Sequence, residues 1–403
     1  MLVRATFANL YSFDAPQTIS CVAGKSRNLS KHMLKSGNRH KPSLLKSAIV
    51  YGANASGKSN LAKCFDFAIG MIVNGFRIDE PIKRTPFRLR PSALREPSFF
   101  EFEIDIDKTL YAYRLAFDDH VILEESLTRI LPTSERTLFS RTWTGTDSKF
   151  DLPEHFNNRE EQQRFQFIAK STRPNQPFLT ETVESNSDRY RSIYDWFRYG
   201  VEVIYPEAIY TRLDLAATPG KKIAHVYEEF FKNLGLGIAG IRETQLDPEN
   251  SVKDIPADLL LDLKNKLKNG SQMMLAGPYK SRYHLAKNQN GELKLYKITI
   301  SHEIAETHEQ IPFELKDESD GTLRLIDLIP ALADMCEHEK LYVIDELDRS
   351  MHAQLTRAFL EYFFSCSTSR SQILATTHEL DLLDLDLLRK DEIWFVEKDR
   401  ASA

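Results

Sequence analysis

The sequence predicts an α/β fold. Ala48-Ile49-Val50-Tyr51 is an apolar run of strand length, and Asn60-Leu61-Ala62-Lys63-Cys64-Phe65 after it suits a helix. Between them stands Gly52-Ala53-Asn54-Ala55-Ser56-Gly57-Lys58-Ser59, the pattern G-x-x-x-x-G-K-S that a strand–helix unit uses to hold phosphate. From Phe313 to the C-terminus strand-like and helix-like segments alternate, which is the order of an α/β layer.

The remaining elements follow along the chain. Residues 2–22 alternate as two strands joined near Asp14-Ala15-Pro16. Phe100, Phe102, Ile104 and Ile106 alternate with Glu101, Glu103 and Asp105, a half-buried strand. Tyr111, Tyr113 and Leu115 suit its hairpin partner, Ile122-Leu123 opens another strand, and Leu138–Thr144 adds a short one, so this part is antiparallel. Helices are expected at 160–169, 187–197, 222–233 and 256–268, where Leu259, Leu260, Leu263 and Leu267 form a packing stripe. Tyr296, Ile298 and Ile300 mark a further strand. After Phe313 the expected order is strand, loop, helix, buried strand, helix, strand, helix, strand. The boundaries expected are 1–154 for an N-terminal half with the phosphate loop and a β subdomain, 155–275 for a mostly helical insertion, and 276–403 for a C-terminal half.

Composition narrows the class. At 403 residues the chain has room for two domains or one domain with a large insertion, and 42% hydrophobic content supports a core. A net charge of −5 argues against a wholly basic coat for nucleic acid. Yet no acid occurs between Asp14 and Asp66, where Lys25, Arg27, Lys31, Lys35, Arg39, Lys41 and Lys46 lie, so this segment is either a solvated basic loop or a contact for nucleic acid or an acidic partner. Cys21, Cys64, Cys336 and Cys366 are widely spaced without a C-x-x-C, which implies neither a zinc site nor a disulfide framework and fits a reduced cytoplasm. Neither a signal peptide nor a membrane-spanning run is legible.

The chemistry expected of the phosphate loop follows from its residue types. Its glycines let successive N–H groups from Asn54 to Asn60 turn toward an anion. Lys58 reaches the outer phosphates, and Ser59 offers its hydroxyl to Mg²⁺ at the positive end of a helix. The expected ligand is therefore a nucleotide with Mg²⁺. Leu341-Tyr342-Val343-Ile344-Asp345-Glu346 is an apolar strand ending in two acids; Asp345 suits the metal shell opposite Ser59, and Glu346 suits a base for the attacking water. Leu374-Ala375-Thr376-Thr377-His378 is a second apolar strand, which ends at a histidine able to reach the outer phosphate. Glu318-Ser319-Asp320-Gly321-Thr322 precedes an apolar helix; it serves as a helix cap or as an anion site, and its spacing does not decide which.

Together the phosphate loop, Ser-Asp-Gly-Thr, Ile-Asp-Glu-Leu-Asp-Arg-Ser-Met-His and Thr-Thr-His resemble the ATP-binding-cassette ATPases of the SMC/RecF type. More closely, the chain looks like the prokaryotic anti-phage and abortive-infection ATPases of the RloA-like, PARIS-type and OLD-type families. Phe7–Phe13, Pro86-Phe87-Arg88-Leu89, Tyr194-Asp195-Trp196-Phe197 and 391–398 look like further landmarks of these families. The resemblance implies a cassette-type ATPase head with an antiparallel β subdomain. It also implies that Ser319, Gly321 and Thr322 form a signature contacting ATP held by a second subunit, that Asp348 lies in the loop crossing the dimer, and that His378 is a switch histidine. A homo-oligomer built on an ATP-sandwich dimer, a separately encoded toxic effector such as a nuclease, and a DNA or phage-protein trigger are the partners implied. The glutamine loop of such ATPases has no counterpart near Phe87-Arg88-Leu89. Three other readings compete: a RecF-like DNA-repair clamp, a nuclease with a metal site in the insertion near Asp188, Asp195, Glu202 and His225, and a nucleotide-gated assembly protein with negligible turnover, against which Glu346 argues.

Overall fold

A computed structural model describes residues 1–26, 28–34, 42–153, 156, 158–208, 226–227, 230–231, 237–246, 255–304, 306–366 and 370–398. Most of the helix expected at 222–233, together with His225 and much of the basic segment (Arg27, Lys35, Arg39 and Lys41), lies outside the described residues. Contacts divide the chain into two compact units. The first comprises Met1–Pro206, His338–Leu347 and Ser367–Ala403; the second comprises Glu207–Glu337 and Asp348–Cys366.

The first unit opens with β1 (Leu2–Ala8) and β2 (Gln17–Ser20), which pair antiparallel as the alternation predicts. Two-residue strands β3 (Met33–Leu34) and β4 (Leu44–Leu45) pair with each other. Next come β5 (Ser47–Tyr51), wholly buried, and α1 (Lys58–Asn74). Strands β6 (Ser98–Ile106), β7 (Thr109–Phe117), β8 (Ile122–Ile130), β9 (Glu135–Trp143) and β10 (Ser148–Asp151) extend β1 and β2 into a seven-stranded antiparallel sheet, ordered β10-β9-β8-β7-β6-β1-β2. Helices α2 (Arg159–Ser171), α3 (Phe178–Glu184) and α4 (Arg191–Tyr199) follow, then β11 (Val201–Ile204). Phe65 on α1 meets Phe7 and Phe102 edge-on at centroid distances of 5.3 and 5.5 Å, and Phe197 on α4 meets Phe102 at 5.2 Å. Each such buried ring stabilises by about 1.5–3 kcal/mol, so this seam anchors α1 and α4 to the sheet.

The second unit holds an antiparallel sheet of β12 (Ile238–Leu246), β13 (Gln272–Ala276), β14 (Arg282–Lys287), β15 (Leu293–Glu303) and β16 (Gln310–Glu314). Helix α5 (Ala257–Lys266) packs Leu260 and Leu263 against Tyr283, Leu285 and Leu295, with Leu267 just past its end, while Leu259 is exposed. Three leucines of the expected stripe thus do face a core. The stretch expected to be mostly helical divides between the units: α2–α4 pack in the first, and two strands with α5 belong to the second. β12 escapes a periodicity reading because Arg242, Thr244 and Gln245 give it no continuous apolar face. This unit also carries α6 (Asp320–Glu337) and α7 (Ala353–Ser365).

Back in the first unit, β17 (Leu341–Ile344), β18 (Gln372–Thr377) and β19 (Ile393–Phe395) complete a parallel sheet in the order β11-β17-β18-β5-β19. The helix expected between the last two strands is replaced by short 3-10 turns at Leu380–Leu382 and Lys390–Glu392. Acidic side chains there take backbone N–H groups (Asp386 N to Asp384 Oδ1, 2.8 Å; Asp381 N to Glu379 Oε1, 3.2 Å), which competes with helix bonds. A further departure is the Cys336–Cys366 disulfide, where spacing implied none. It forms because the C-terminal ends of α6 and α7 lie side by side, with Cα atoms 5.4 Å apart.

Candidate functional site

Parallel strands end their carboxyl tips together, and in open α/β sheets ligands sit beyond those tips. Here β5, β18 and β17 are adjacent, so the phosphate loop, His378 and the Asp345-Glu346 pair emerge side by side. All of them belong to the first unit.

The loop has the shape its glycines allow. Ala55 and Gly57 both have left-handed backbones, with φ of 61° and 107°. A Cβ on Gly57 would fall 2.5 Å from Ser12 Oγ, and one on Gly52 would fall 2.5 Å from the Val396 carbonyl oxygen. Neither position tolerates a side chain. Lys58 is buried at the start of α1 and donates to the carbonyls of Gly52 (2.6 Å) and Ala53 (2.9 Å). Its ammonium also lies 3.3 Å from His378 Nδ1.

The acidic pair is held by a residue the sequence left without a role. Thr376, fully buried on β18, donates its hydroxyl to Asp345 Oδ1 (2.7 Å) and accepts from the Glu346 N–H (2.8 Å). Glu346 takes a left-handed backbone, φ 48°, which for a non-glycine residue costs on the order of 1–3 kcal/mol. The bond to Thr376 Oγ1 and that from Leu347 N to the Thr376 carbonyl (2.9 Å) hold it there. Strain of this kind, kept by two specific bonds, marks a position where direction matters more than stability. The hint in the sequence is a threonine among apolar residues immediately before Thr377-His378.

Beside the loop opens a cavity of about 460 Å³, lined by Phe13, Phe87, Leu89, Trp394 and Phe395 together with Ala55 and Ser56. Ser56 Oγ and Trp394 Nε1 are both buried without a hydrogen-bond partner among the described residues. Leaving such groups unpaired is costly. A cavity with aromatic walls, two unpaired polar atoms and a phosphate-binding loop at its rim fits a nucleotide. The oxygen donors Ser59 and Asp345 fit a hard cation such as Mg²⁺.

The remaining expected residues are in the second unit. Ser319 caps α6: its Oγ accepts from the Thr322 N–H (3.1 Å) and lies 2.9 Å from Thr322 Oγ1. A Cβ on Gly321 would come within 2.7 Å of the Ser350 carbonyl oxygen, so glycine is needed for this close approach. Ser319 and Asp320 are exposed, and Asp320 pairs with Lys280 at 2.5 Å. Of the basic segment, Lys25 and Lys31 are exposed whereas Lys46 is buried. Among the described residues no group of three or more His, Cys, Asp or Glu side chains is placed to hold a metal, and no helix is long and apolar enough to cross a membrane.

The family model for the AAA domain, putative AbiEii toxin, Type IV TA system, matches residues 47–384, and the chain belongs to that family. The match runs from β5 through the turn after His378, so it takes in every expected site residue. None of the curated proteins compared with the chain matches it. Among solved structures, the SmcHead bound to the C-winged helix domain of ScpA is similar at 14% identity, covering 99% of this chain and 95% of that one with a TM-score of 0.42. The SMC head domain from Thermotoga maritima is similar at 12% identity, covering 94% and 89% with a TM-score of 0.37.

Proposed function

We propose that this protein binds and hydrolyses ATP as the switch of a prokaryotic toxin–antitoxin or abortive-infection system. The observation that carries the reading is the convergence of Lys58, His378, Asp345 and Glu346 at the tips of three adjacent strands, with Thr376 aiming the two acids. Lys58 exchanges its loop carbonyls for the outer phosphates, and the loop N–H groups from Asn54 to Asn60 hold the inner ones. Glu346 orients the attacking water and takes its proton, while His378 contacts the outer phosphate. Ser59 and Asp345 would hold Mg²⁺, which would supply neutralising charge to the phosphates. The base occupies the aromatic cavity beside Ala55 and Ser56.

On the finer scale, Ser319, Gly321 and Thr322 complete the site of a second copy, so that ATP closes a homodimer and hydrolysis reopens it. Closure controls a separately encoded effector. The family description supports the toxin–antitoxin setting. The acid-free stretch with exposed Lys25 and Lys31 supports a second reading, a RecF-like DNA clamp, which strongly salt-dependent duplex binding would favour.

The test is the mass of Glu346→Gln by light scattering after size exclusion, with and without ATP-Mg²⁺, beside the Lys58→Ala protein. A doubling of mass with ATP in the first and loss of ATP binding in the second are expected. A Lys58→Ala protein that binds ATP like wild type would sink the reading.

A further inference from the structure

Four cysteines are present, and they fall into two kinds. Cys21 and Cys64 are fully buried, and burial pushes both thiols up, that of Cys21 to about 12. Neither forms a thiolate readily. Cys336 and Cys366 are partly exposed and joined. Cys336 is the penultimate residue of α6, the helix that Ser319 caps; Cys366 follows directly on α7.

Their placement matters more than their pairing. The bridge spans 30 residues of sequence, and within that span lie β17, Asp345, Glu346 and Asp348. The covalent loop therefore encloses the acidic strand and the segment leading out of it. At its other end α6 meets the same segment, through the close approach of Gly321 to the Ser350 carbonyl. Between these two attachments α6 contains Pro330, which cannot donate to the helix and lets its halves bend. The bridge adds a covalent link between the distal half of α6 and the end of α7.

We infer that Cys336 and Cys366 form a thiol–disulfide modification site whose oxidation fastens the signature helix to the helix following the acidic strand and so raises ATP turnover. The catalytic half rests on the ATPase reading above. Oxidised glutathione, a small-molecule disulfide, is a sufficient oxidant. One protein thiolate attacks its S–S bond, forming a mixed disulfide and releasing one glutathione thiolate. The second protein thiolate then attacks the protein sulfur of that mixed disulfide and releases the second glutathione. Two electrons pass to glutathione, which leaves as two thiols with the two protons given up by the protein.

The experiment uses the full chain equilibrated in graded ratios of oxidised to reduced glutathione. Free thiols are then trapped by alkylation and the peptides weighed. Hydrogen exchange of α6 and α7 is followed in the oxidised and reduced forms, and in Cys336→Ser. We expect the Cys336–Cys366 peptide to accumulate with oxidation, and amides near the C-terminal ends of both helices to exchange about tenfold more slowly in the oxidised form. Turnover should fall at least about fivefold on reduction, with ATP affinity unchanged. If the bridged peptide forms at no ratio, or the two forms exchange alike, the proposal is wrong. If exchange differs but turnover does not, its catalytic half is wrong. Should Cys336→Ser fail to fold, the reduced wild type still decides. Failure of the ATPase reading is seen separately, as wild-type ATP binding by Lys58→Ala, and leaves the exchange result untouched.

Discussion

Thr376 shows what a single hydroxyl does when two groups depend on it. Replacing it with valine keeps the volume and leaves Asp345 Oδ1 and the Glu346 N–H without that partner. An unpaired buried group costs about 1–3 kcal/mol, so Thr376→Val should lower the melting temperature measurably. Its larger effect should be on turnover, at least about tenfold in kcat with ATP affinity unchanged, because Glu346 loses one of the two bonds that hold its left-handed backbone. Wild-type kcat in Thr376→Val would remove Thr376 from the machinery. At this scale much of the candidate site is legible in sequence. Gly52, Gly57, Lys58 and Ser59 sit within one short motif, and Asp345-Glu346 ends an apolar strand that needs no partner to be recognised. Thr376 is not legible, because its role exists only once β17 and β18 are paired. Trp394 is similar: it reads as a strand residue, and its place in the cavity wall depends on β19 joining the edge of β5.

Among the elements, α3 is the clearest case of a helix made by a distant residue. Glu125, on β8 and fully buried, accepts from the N–H groups of Phe178 (2.7 Å) and Leu179 (3.0 Å) and from Tyr113 Oη (2.9 Å). It thereby caps a seven-residue helix that is too short to persist alone. Arg141, equally buried, lies 3.7 Å from the Glu125 carboxylate and donates to the carbonyls of Gln176, Arg173 and Pro174. Removing one partner of a buried pair strands the other. Glu125→Ala should therefore cost about 3–5 kcal/mol in a chemical-denaturation measurement. A cost below about 1 kcal/mol, the range of an exposed pair, would show that the cap is incidental. No sequence window contains both Glu125 and Phe178, which is why α3 is not foreseen. β11 is missed for a related reason. It has four residues, two of them only partly buried, and becomes a strand through parallel pairing with Leu341–Ile344. The long strands β6, β7 and β8 were legible because each pairs with a neighbour close in sequence and shows one face to water.

For the whole molecule, the question is whether one chain can complete the chemistry. If Ser319 serves the site of a second copy, Ser319→Arg should bind ATP with wild-type affinity yet stay at its nucleotide-free mass and hydrolyse at least about a hundredfold more slowly. Affinity and mass are read by titration and light scattering. Wild-type hydrolysis by Ser319→Arg would mean that each chain works alone. Sequence character places boundaries near 154 and 275, whereas contacts place the second unit within Glu207–Glu337 and Asp348–Cys366. The cause is that the chain leaves the first unit after Pro206, returns for His338–Leu347, leaves again, and returns from Ser367.

That path sets an order of events during synthesis. The ribosome releases the phosphate loop early, but the strands that carry Thr376 and lead into Asp345 and His378 emerge only after about three hundred further residues. Until then β5 has neither of its parallel neighbours, β18 and β19. A nascent or truncated chain therefore carries the means to grasp a phosphate without the means to spend it.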